Sequence, residues 1–255
     1  MKQLLIDAGN TRLKWATLRG RRLGRLQVVE WNGRTVARVA RQAVTGGVDR
    51  VLVCSVAGTV LERALRQAAR AAGAPAPQFI RSTRRAAGVR NGYVEPWRLG
   101  ADRWVAMLGA RARHPGRALC IVDVGTALTI DLLDSAGQHR GGLITPGPAL
   151  MVESLLRDTA GIRRRAGGRF GAAARSAAPF GRSTRAGLLS GSALACAALI
   201  ERSLREARAE LGGRPRLLLA GGGAAPVARF LRVAHERVDA LVIEGLAMLA
   251  AHNSR

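Results

Sequence analysis

Two short apolar stretches of this chain end in the same kind of polar turn. The first covers residues 4–11 and the second covers residues 120–127. In both, the apolar positions lead into Asp-x-Gly with a threonine close behind. A further apolar stretch follows each turn, at residues 13–18 and 128–133. Because this order is typical of a strand, a tight turn and a returning strand, the sequence predicts the same hairpin twice.

Between and after the hairpins, alanine, leucine and arginine recur with helical spacing at residues 59–72, 102–113, 188–211 and 238–252. Interleaved strands and helices predict an α/β fold. Since a hairpin opens each half of the chain, we expect a duplicated protein with domains over residues 1–115 and 116–255. The stretch 160–178, rich in Gly, Arg and Ala, is predicted to be a mobile surface segment.

The composition is ordinary for a globular protein except in its charge. The 255 residues are 48% hydrophobic and 23% charged, but the formal net charge is +24. Nearly all of the positive charge is arginine, because Lys2 and Lys14 are the only lysines. The arginines are scattered along the predicted helices, and the sequence has no aromatic-rich RNA-binding motif, so we expect no specific nucleic-acid partner.

The apolar runs and the cysteines favour a cytoplasmic protein that spans no membrane. The longest candidate run, residues 186–200, is shorter than a membrane span and is interrupted by two serines. The first residues lead directly into Asp7 and a turn, which is unlike a cleaved signal. The three cysteines are widely spaced among apolar neighbours, as reduced core residues would be: Cys54, Cys120 and Cys196.

Several enzyme classes require residues that this sequence lacks. Neither lysine follows a glycine as in a nucleotide-binding phosphate loop, and the protein-kinase motifs are absent. The four histidines are isolated in the sequence, and no G-x-S-x-G motif is present. These absences argue against metal hydrolases and triad hydrolases as well.

The two Asp-x-Gly turns contain the residue types that a nucleotide site needs. Glycine allows backbone N–H groups to approach an anion closely, and a threonine hydroxyl can donate to phosphate oxygens. An aspartate at the end of a strand, such as Asp7 or Asp123, can hold a hydrated Mg²⁺ or another cation. The alternative for each turn is a plain β-hairpin with a capped turn.

A loop rich in Gly and Pro, at residues 91–100, runs into a predicted helix through Gly-x-Asp-Arg. Asp102 at the start of that helix is either an N-cap or a base that accepts a proton from a substrate hydroxyl. Arg103 beside it can bind a substrate anion or amide. The glycines and prolines of residues 141–148 are predicted to fix the conformation of a loop beside the second turn. Residues 217–223 are predicted to form a buried strand, whose terminal glycines leave room for a flat ring.

Taken together, these motifs resemble type III pantothenate kinases, including the proteobacterial branch called Bvg accessory factor. The motifs follow the family's order over nearly the whole chain: Asp7-x-Gly-Asn-Thr-x-x-Lys14, Asn91-x-Tyr-x-x-Pro-x-x-Leu-Gly-x-Asp-Arg103, Asp123-x-Gly-Thr-Ala127, Gly141-Gly-x-Ile-x-Pro-Gly147, Gly181-Arg-Ser-Thr184 and Ala220-Gly-Gly-Gly223. The resemblance implies two ribonuclease-H-like halves of the actin/Hsp70/sugar-kinase type, in a cytoplasmic homodimer. It also implies ATP-dependent phosphorylation of pantothenate to 4′-phosphopantothenate, the first step of coenzyme A biosynthesis.

The resemblance further implies a role for single residues. Asp102 would be the catalytic base, Asp7 would lie near Mg²⁺ through a water molecule, and Asp123 would bind a monovalent cation, K⁺ or NH₄⁺. The ATP-binding residues would be Asp7, Ala8, Gly9, Asn10, Thr11, Arg12, Leu13, Lys14 and Thr126. The pantothenate-binding residues would be Tyr93, Gly100, Ala101, Asp102, Arg103 and Thr184.

Two other functions compete with this kinase at the level of sequence. The high charge and the accessory-factor label suggest a non-catalytic regulatory or nucleic-acid-associated protein on the same fold. The intact Asp7, Asp102 and Asp123 argue against that alternative. A different sugar-type or acyl-phosphate kinase is the other candidate, and the loop from Tyr93 to Arg103 disfavours it.

Overall fold

The computed structural model of this chain describes residues 1–167 and 179–252. It divides into two compact units. The first unit comprises Met1–Arg117, Ser135–Arg140 and Ala240–Arg255, and the second comprises Ala118–Asp134 and Gly141–Asp239. Part of the predicted mobile segment, residues 168–178, lies outside the described residues, whereas its first residues form a helix.

Strands and helices alternate along much of the chain, as the sequence predicts. The strands are β1 (Lys2–Ala8), β2 (Arg12–Arg19), β3 (Arg22–Leu23), β4 (Gln27–Glu30), β5 (Arg50–Ser55), β6 (Gln78–Phe79), β7 (Arg85–Ala86), β8 (Val89–Arg90), β9 (Leu119–Val124), β10 (Ala127–Leu133), β11 (His139–Pro146), β12 (Arg216–Ala220) and β13 (Glu236–Arg237). The helices are α1 (Val36–Ala43), α2 (Gly58–Ala71), α3 (Ala101–Arg113), α4 (Pro148–Asp158), α5 (Ala160–Ala166), α6 (Thr184–Leu211), α7 (Ala224–Ala228) and α8 (Leu241–His252), with a 3₁₀ turn at Pro96–Arg98.

The first unit is built on a mixed sheet in the order β3-β2-β1-β5-β6, with β4 paired to β2. Strand β1 runs antiparallel to β2 and parallel to β5. Leu4 and Ile6 on one face of β1 pack into a core cluster that includes residues of α1 and α2. Leu5, which alternates to the other face, is also fully buried. Burial on both faces explains why β1 is a continuous apolar run.

Helices α3 and α8 approach each other closely within the first unit, at two glycines. A Cβ atom at Gly245 would lie 1.9 Å from the carbonyl oxygen of Val105, and one at Gly109 would lie 2.3 Å from that of Leu241. No side chain fits at either position. This packing places the C-terminal helix α8 in the first unit, whereas the sequence-based division assigned residues 116–255 to the second.

The second unit repeats the arrangement of the first around a sheet in the order β11-β10-β9-β12-β13. Strand β9 runs antiparallel to β10 and parallel to β12, as β1 does to β2 and β5. Cys196 and Ile200 of α6 pack into the core cluster beside this sheet. The predicted repetition of strand, turn and returning strand is therefore confirmed.

Helix α6 is the one element in the described part of the chain that is long and apolar enough to cross a membrane by length and composition alone. In its most apolar window, 39% of the residues are buried. The buried side of the helix forms part of the core of the second unit, which accounts for its apolar composition. The longest apolar run of the sequence is thus a core helix.

Candidate active site

The first Asp-x-Gly turn follows the C-terminal end of β1. Asp7 on β1 lies opposite Lys14 on β2 in the antiparallel register. The Nζ atom of Lys14 is 3.8 Å from an Oδ atom of Asp7, and the two side chains are 19% and 13% exposed. Because this pair is largely shielded from solvent, salt screens it less than a surface ion pair. The Lys14 ammonium group and the Asp7 carboxylate therefore lie opposite each other on the two strands of the hairpin, next to its turn.

Backbone hydrogen bonds shape the turn between β1 and β2. The N–H of Gly9 donates to the carbonyl of Arg12 at 3.0 Å. The next strand partner, β4, contributes Glu30, whose carboxylate accepts hydrogen bonds from the Arg12 guanidinium at 3.1 and 3.3 Å. Residue Trp31, directly after β4, also contacts the turn through its indole N–H. The turn is therefore held from one side by the β4 segment.

Cys54 lies on β5, which neighbours both elements that carry the carboxylates singled out by the sequence in the first half, β1 with Asp7 and α3 with Asp102. It is fully buried on β5, opposite Asp7 in the parallel register. Burial raises the pKa of the Cys54 thiol well above its ordinary value, and the charges of Asp7 and Asp102 raise it further. Asp7 is the register partner of Cys54, and helix α3, whose first turn holds Asp102, packs against β5. The fold thus brings together two residues that are far apart in the sequence.

Asp102 lies in the first turn of α3, with Gly100 at the N-cap position. Its Oδ1 atom accepts the backbone N–H of Arg103 at 2.8 Å. A Cβ atom at Gly100 would be only 2.6 Å from that same oxygen. Glycine at position 100 therefore leaves space around the carboxylate, and Asp102 is not itself the N-cap residue. A carboxylate at a helix N-terminus is stabilised by the helix dipole.

Arg103 is a buried arginine held by the loop that precedes it. The residue is 6% exposed, and its guanidinium donates to the hydroxyl of Tyr93 at 2.8 Å. The guanidinium carbon also lies 5.6 Å from the centre of the Tyr93 ring, within the range of a cation–π contact. Tyr93 therefore orients Arg103 through both its hydroxyl group and its ring.

His139 also contacts the ring of Tyr93. The two rings stack with centroids 5.9 Å apart and an interplanar angle of 15°. The backbone N–H of Gly92 donates to Nδ1 of His139 at 3.4 Å, and the histidine is 2% exposed. The hydrogen bond requires an unprotonated Nδ1. The loop at residues 91–100 is thus anchored to a buried histidine.

The second Asp-x-Gly turn follows β9, which has one antiparallel and one parallel neighbour, as β1 has in the first unit. Asp123 lies on β9, opposite Thr129 of β10 and Ala220 of β12. A Cβ atom at Gly221 would lie 2.2 Å from Oδ1 of Asp123, and Gly221 has φ +94°. Glycine is needed there both for its backbone conformation and for the space beside the carboxylate. The strand predicted over residues 217–223 is β12, which ends at Ala220, the register partner of Asp123, and the glycines follow it.

Two threonines predicted to bind ligands lie in different parts of the second unit. Thr126 is exposed at the tip of the second turn, where its carbonyl accepts the N–H of Gly147 at 2.8 Å. Thr184 is the first residue of α6, next to the N-cap Ser183. It lines an apolar groove of about 510 Å³ with residues of α4 and α6, among them Met151, Leu155 and Gly191.

The residues of the first turn suit Mg²⁺ bound together with a nucleotide. Within residues 1–167 and 179–252, no group of three or more His, Cys, Asp or Glu residues could hold a metal ion alone. Mg²⁺ commonly uses one or two protein carboxylates, several waters and the phosphates of a substrate. The mostly buried carboxylate of Asp7 fits that requirement, and an all-protein metal cage is not needed.

Two residues that contact the predicted site residues, His139 and Trp31, were not predicted from the sequence. His139 is isolated in the sequence and contacts Gly92 across 47 positions. Trp31 follows a short strand with no motif around it and contacts Gly9 across 22 positions. Both contacts depend on tertiary structure, because they join residues that are far apart in the sequence. Local sequence patterns do not reveal such contacts. A single tryptophan after a short apolar stretch is too common in sequences to indicate a functional role for Trp31.

Comparison with known proteins identifies close sequence relatives. The family model described as Type III pantothenate kinase matches residues 3–206. A type III pantothenate kinase from Aromatoleum aromaticum is 40% identical, over 98% of both chains. Another from Nitrosococcus oceani is 34% identical, over 99% of this chain and 95% of the relative. The matches do not favour the alternative of a non-catalytic regulatory or nucleic-acid-associated protein.

Solved structures share the fold at low sequence identity. The activator of 2-hydroxyisocaproyl-CoA dehydratase from Clostridium difficile, with bound ADPNP, aligns with a TM-score of 0.56 at 12% identity, over 100% of this chain and 96% of that one. A ROK family glucokinase from Streptomyces griseus, in complex with glucose and AMPPNP, aligns with a TM-score of 0.52 at 12% identity, over 99% and 100%. The predicted fold of the actin/Hsp70/sugar-kinase type is confirmed.

Proposed function

The chain belongs to the type III pantothenate kinase family, and we propose that its acidic turns and the loop before α3 transfer the γ-phosphoryl group of ATP to pantothenate. The products are ADP and 4′-phosphopantothenate, in the first step of coenzyme A biosynthesis. The observation that carries the proposal is that β5 pairs with β1 at Asp7 and packs against α3, whose first turn holds Asp102. A carboxylate suited to the metal–nucleotide complex and a carboxylate suited to the acceptor hydroxyl thus share one site.

Asp102 is the base in this proposal. It accepts the proton of the pantothenate hydroxyl while the hydroxyl oxygen forms its bond to the γ-phosphorus of ATP. The bond from that phosphorus to the bridging oxygen breaks, and ADP leaves with the electron pair. The position of Asp102 beside Gly100, which has no side chain to block the carboxylate, supports this role.

Pantothenate is held by the loop around Arg103. The substrate carries a carboxylate, and a guanidinium is suited to bind a carboxylate through two parallel hydrogen bonds. Arg103 is buried and is already oriented by Tyr93, so little side-chain freedom is lost on binding. Gly100, Ala101 and Thr184 complete the proposed set of contacts.

ATP is bound by residues 7–14 together with Thr126. Backbone N–H groups of the first turn donate to phosphate oxygens, and Lys14 adds a positive charge beside Asp7. Asp7 would hold Mg²⁺ through a water molecule. When bound, Mg²⁺ neutralises negative charge on the phosphates as the phosphoryl group is transferred.

Asp123 is the proposed ligand of a monovalent cation, K⁺ or NH₄⁺. The support comes from Gly221, because any Cβ atom at that position would collide with the Asp123 carboxylate. The space that glycine preserves lies directly beside an oxygen ligand of the type that hard cations prefer. The carboxylate is partly buried at the end of β9, where a bound cation would offset its desolvation.

We place the protein in the cytoplasm as a homodimer. Helix α6 exposes Gly187, Gly191 and Leu194 along one face, and the apolar groove lies beside them. Leu143 and Ile144 of β11 are exposed as well, at 47% and 64%. Exposed apolar surface of this kind is typical of a protein–protein interface, and a second copy of the chain is the proposed partner.

The Asp102→Asn variant tests the assignment of the base. Asparagine keeps an oxygen that can accept the Arg103 N–H, so folding and substrate binding should be preserved. Loss of a general base is expected to lower kcat by about 10²–10⁴ while leaving both KM values nearly unchanged. Single-turnover kinetics should show the loss in the chemical step.

The control is Asp239→Asn, an exposed carboxylate paired with Arg237 at 3.0 Å, which should retain full kcat. An unchanged chemical step in Asp102→Asn contradicts the assignment.

A further inference from the structure

Trp31 makes two hydrogen bonds to the turn proposed to bind ATP. Its indole Nε1–H donates to the carbonyl oxygen of Gly9 at 2.9 Å. Its backbone N–H donates to the carbonyl oxygen of Thr11 at 3.0 Å. The ring is partly buried and packs against the core cluster of the first sheet. One residue therefore holds two carbonyls of the same turn and is itself anchored in the core.

Holding a carbonyl also fixes the N–H group of the same peptide unit. A peptide unit is planar and trans, so its C=O and N–H bonds point in opposite directions. The carbonyl of Gly9 shares a plane with the N–H of Asn10. When the Trp31 indole holds that carbonyl, it turns the Asn10 N–H away from the indole. Among the described residues, the Asn10 N–H has no protein acceptor, which leaves it available for an anion.

The turn needs support of this kind because glycine gives it conformational freedom. Gly9 can adopt backbone angles that other residues cannot, and an unsupported Gly9 peptide could rotate. A rotated peptide would present a carbonyl oxygen instead of an N–H to the phosphates. Binding would then require the turn to reorder first, which weakens the observed affinity. A fixed indole donor removes that requirement.

We propose that Trp31 is a positioning residue for ATP, which acts by holding the Gly9–Asn10 peptide so that its N–H faces the phosphates. The inference rests on the proposed function, since it concerns the same ATP site. Trp31 does not touch ATP in this account. It sets the orientation of a backbone donor that does.

The test is Trp31→Phe, which retains an aromatic ring and removes the N–H donor. Because a neutral hydrogen bond contributes about 0.5–1.5 kcal/mol, the Kd and KM for ATP should rise roughly two- to thirteenfold. The kcat and the KM for pantothenate should stay within about twofold of wild type. With ATP bound, hydrogen exchange at the Asn10 amide should be faster in the variant than in wild type.

The matched control is Trp15→Phe in the same core cluster. Trp15 is 9% exposed on β2, and within the described residues its indole donates to neither carbonyl of the turn. This variant loses the same ring volume, so it should lower Tm without changing the Kd for ATP.

Replacing Trp31 with β-(3-benzothienyl)alanine, which has sulfur in place of the indole N–H, removes the donor and keeps the shape. It should weaken ATP binding as Trp31→Phe does.

The outcomes separate this inference from the proposed function. An unchanged Kd for ATP in the benzothienyl variant, with wild type binding ATP normally, overturns the role of Trp31. Equal loss of ATP affinity in Trp15→Phe also overturns it, because the effect would then be one of core packing. If wild-type protein binds ATP and does not phosphorylate pantothenate, the proposed function is contradicted. The Kd values for ATP, measured by calorimetry on wild type and the variants, still decide the role of Trp31.

Discussion

Arg103 is a buried charged residue that we propose binds pantothenate. Burial of an unpaired guanidinium is unfavourable, so the fold must provide partners. The hydroxyl and the ring of Tyr93 do so on one side. Because His139 stacks on that ring, the orientation of Arg103 depends on a chain of three side chains.

Tyr93→Phe removes the hydroxyl and retains both ring contacts. Since hydrogen bonds to charged groups contribute about 1.5–3 kcal/mol and Tyr93 is only partly buried, we expect the KM for pantothenate to rise about tenfold. The KM for ATP should not change, because the first turn is not involved. Steady-state kinetics with each substrate varied in turn measures both values. A rise confined to ATP, or no change for pantothenate, contradicts the proposed role of Tyr93.

At the scale of residues, the sequence predicts those side chains whose neighbours along the chain carry the signal. Asp7 and Lys14 belong to one hairpin, and Asp102 and Arg103 share a helix start, so their motifs are local. Trp31 and His139 contact the site only through tertiary structure. The N-cap interpretation of Asp102 was wrong in detail, because Gly100 occupies that position.

Helices α3 and α8 illustrate a limit on prediction at the scale of elements. Their apolar periodicity predicts both helices to within a few residues. Periodicity does not reveal which partner a helix packs against, and nothing local distinguishes Gly109 or Gly245 from any other helical glycine. The close backbone approach explains why glycine stands there despite its low helix propensity.

Gly245→Ala should therefore destabilise the first unit. Its Cβ atom would meet the Val105 carbonyl at 1.9 Å, so the helices must separate. Overpacking of a core typically costs about 1–3 kcal/mol, although alanine favours a helix by itself. For a chain of this size, Tm should fall by roughly 2–4 °C per kcal/mol in a thermal melt.

Gly161→Ala in α5 is the control for that substitution. The nearest atom to its Cβ would be a flexible arginine nitrogen at 3.6 Å, which is ordinary contact. This variant should keep or slightly raise Tm. If Gly245→Ala melts at the same temperature as wild type, the close packing of α3 on α8 is incorrect.

At the scale of the whole molecule, duplication is the feature that sequence reveals best. The two Asp-x-Gly hairpins predict the central strands of both sheets, β1–β2 and β9–β10. The assignment of the C-terminal helix and of Ser135–Arg140 to the first unit could not be predicted, because it depends on contacts over long separations. A linear boundary at residue 115 cannot describe a chain that returns to its first unit.

The net charge of +24 affects how the whole molecule must be assayed. ATP and pantothenate are both anions, and a strongly basic protein attracts anions in a way that falls with ionic strength. A change of salt therefore alters substrate binding even when no specific cation site is involved. Cations must be exchanged at constant ionic strength for their specific effect to be seen.

The most direct test of the account is ADP release by the purified protein with ATP and Mg²⁺, with and without pantothenate, in K⁺ and in Na⁺ at equal ionic strength. We predict ADP release that requires both pantothenate and K⁺. Release in Na⁺ alone would retain the kinase and contradict the cation site at Asp123. Folded protein that releases no pantothenate-dependent ADP in either cation would contradict the central claim.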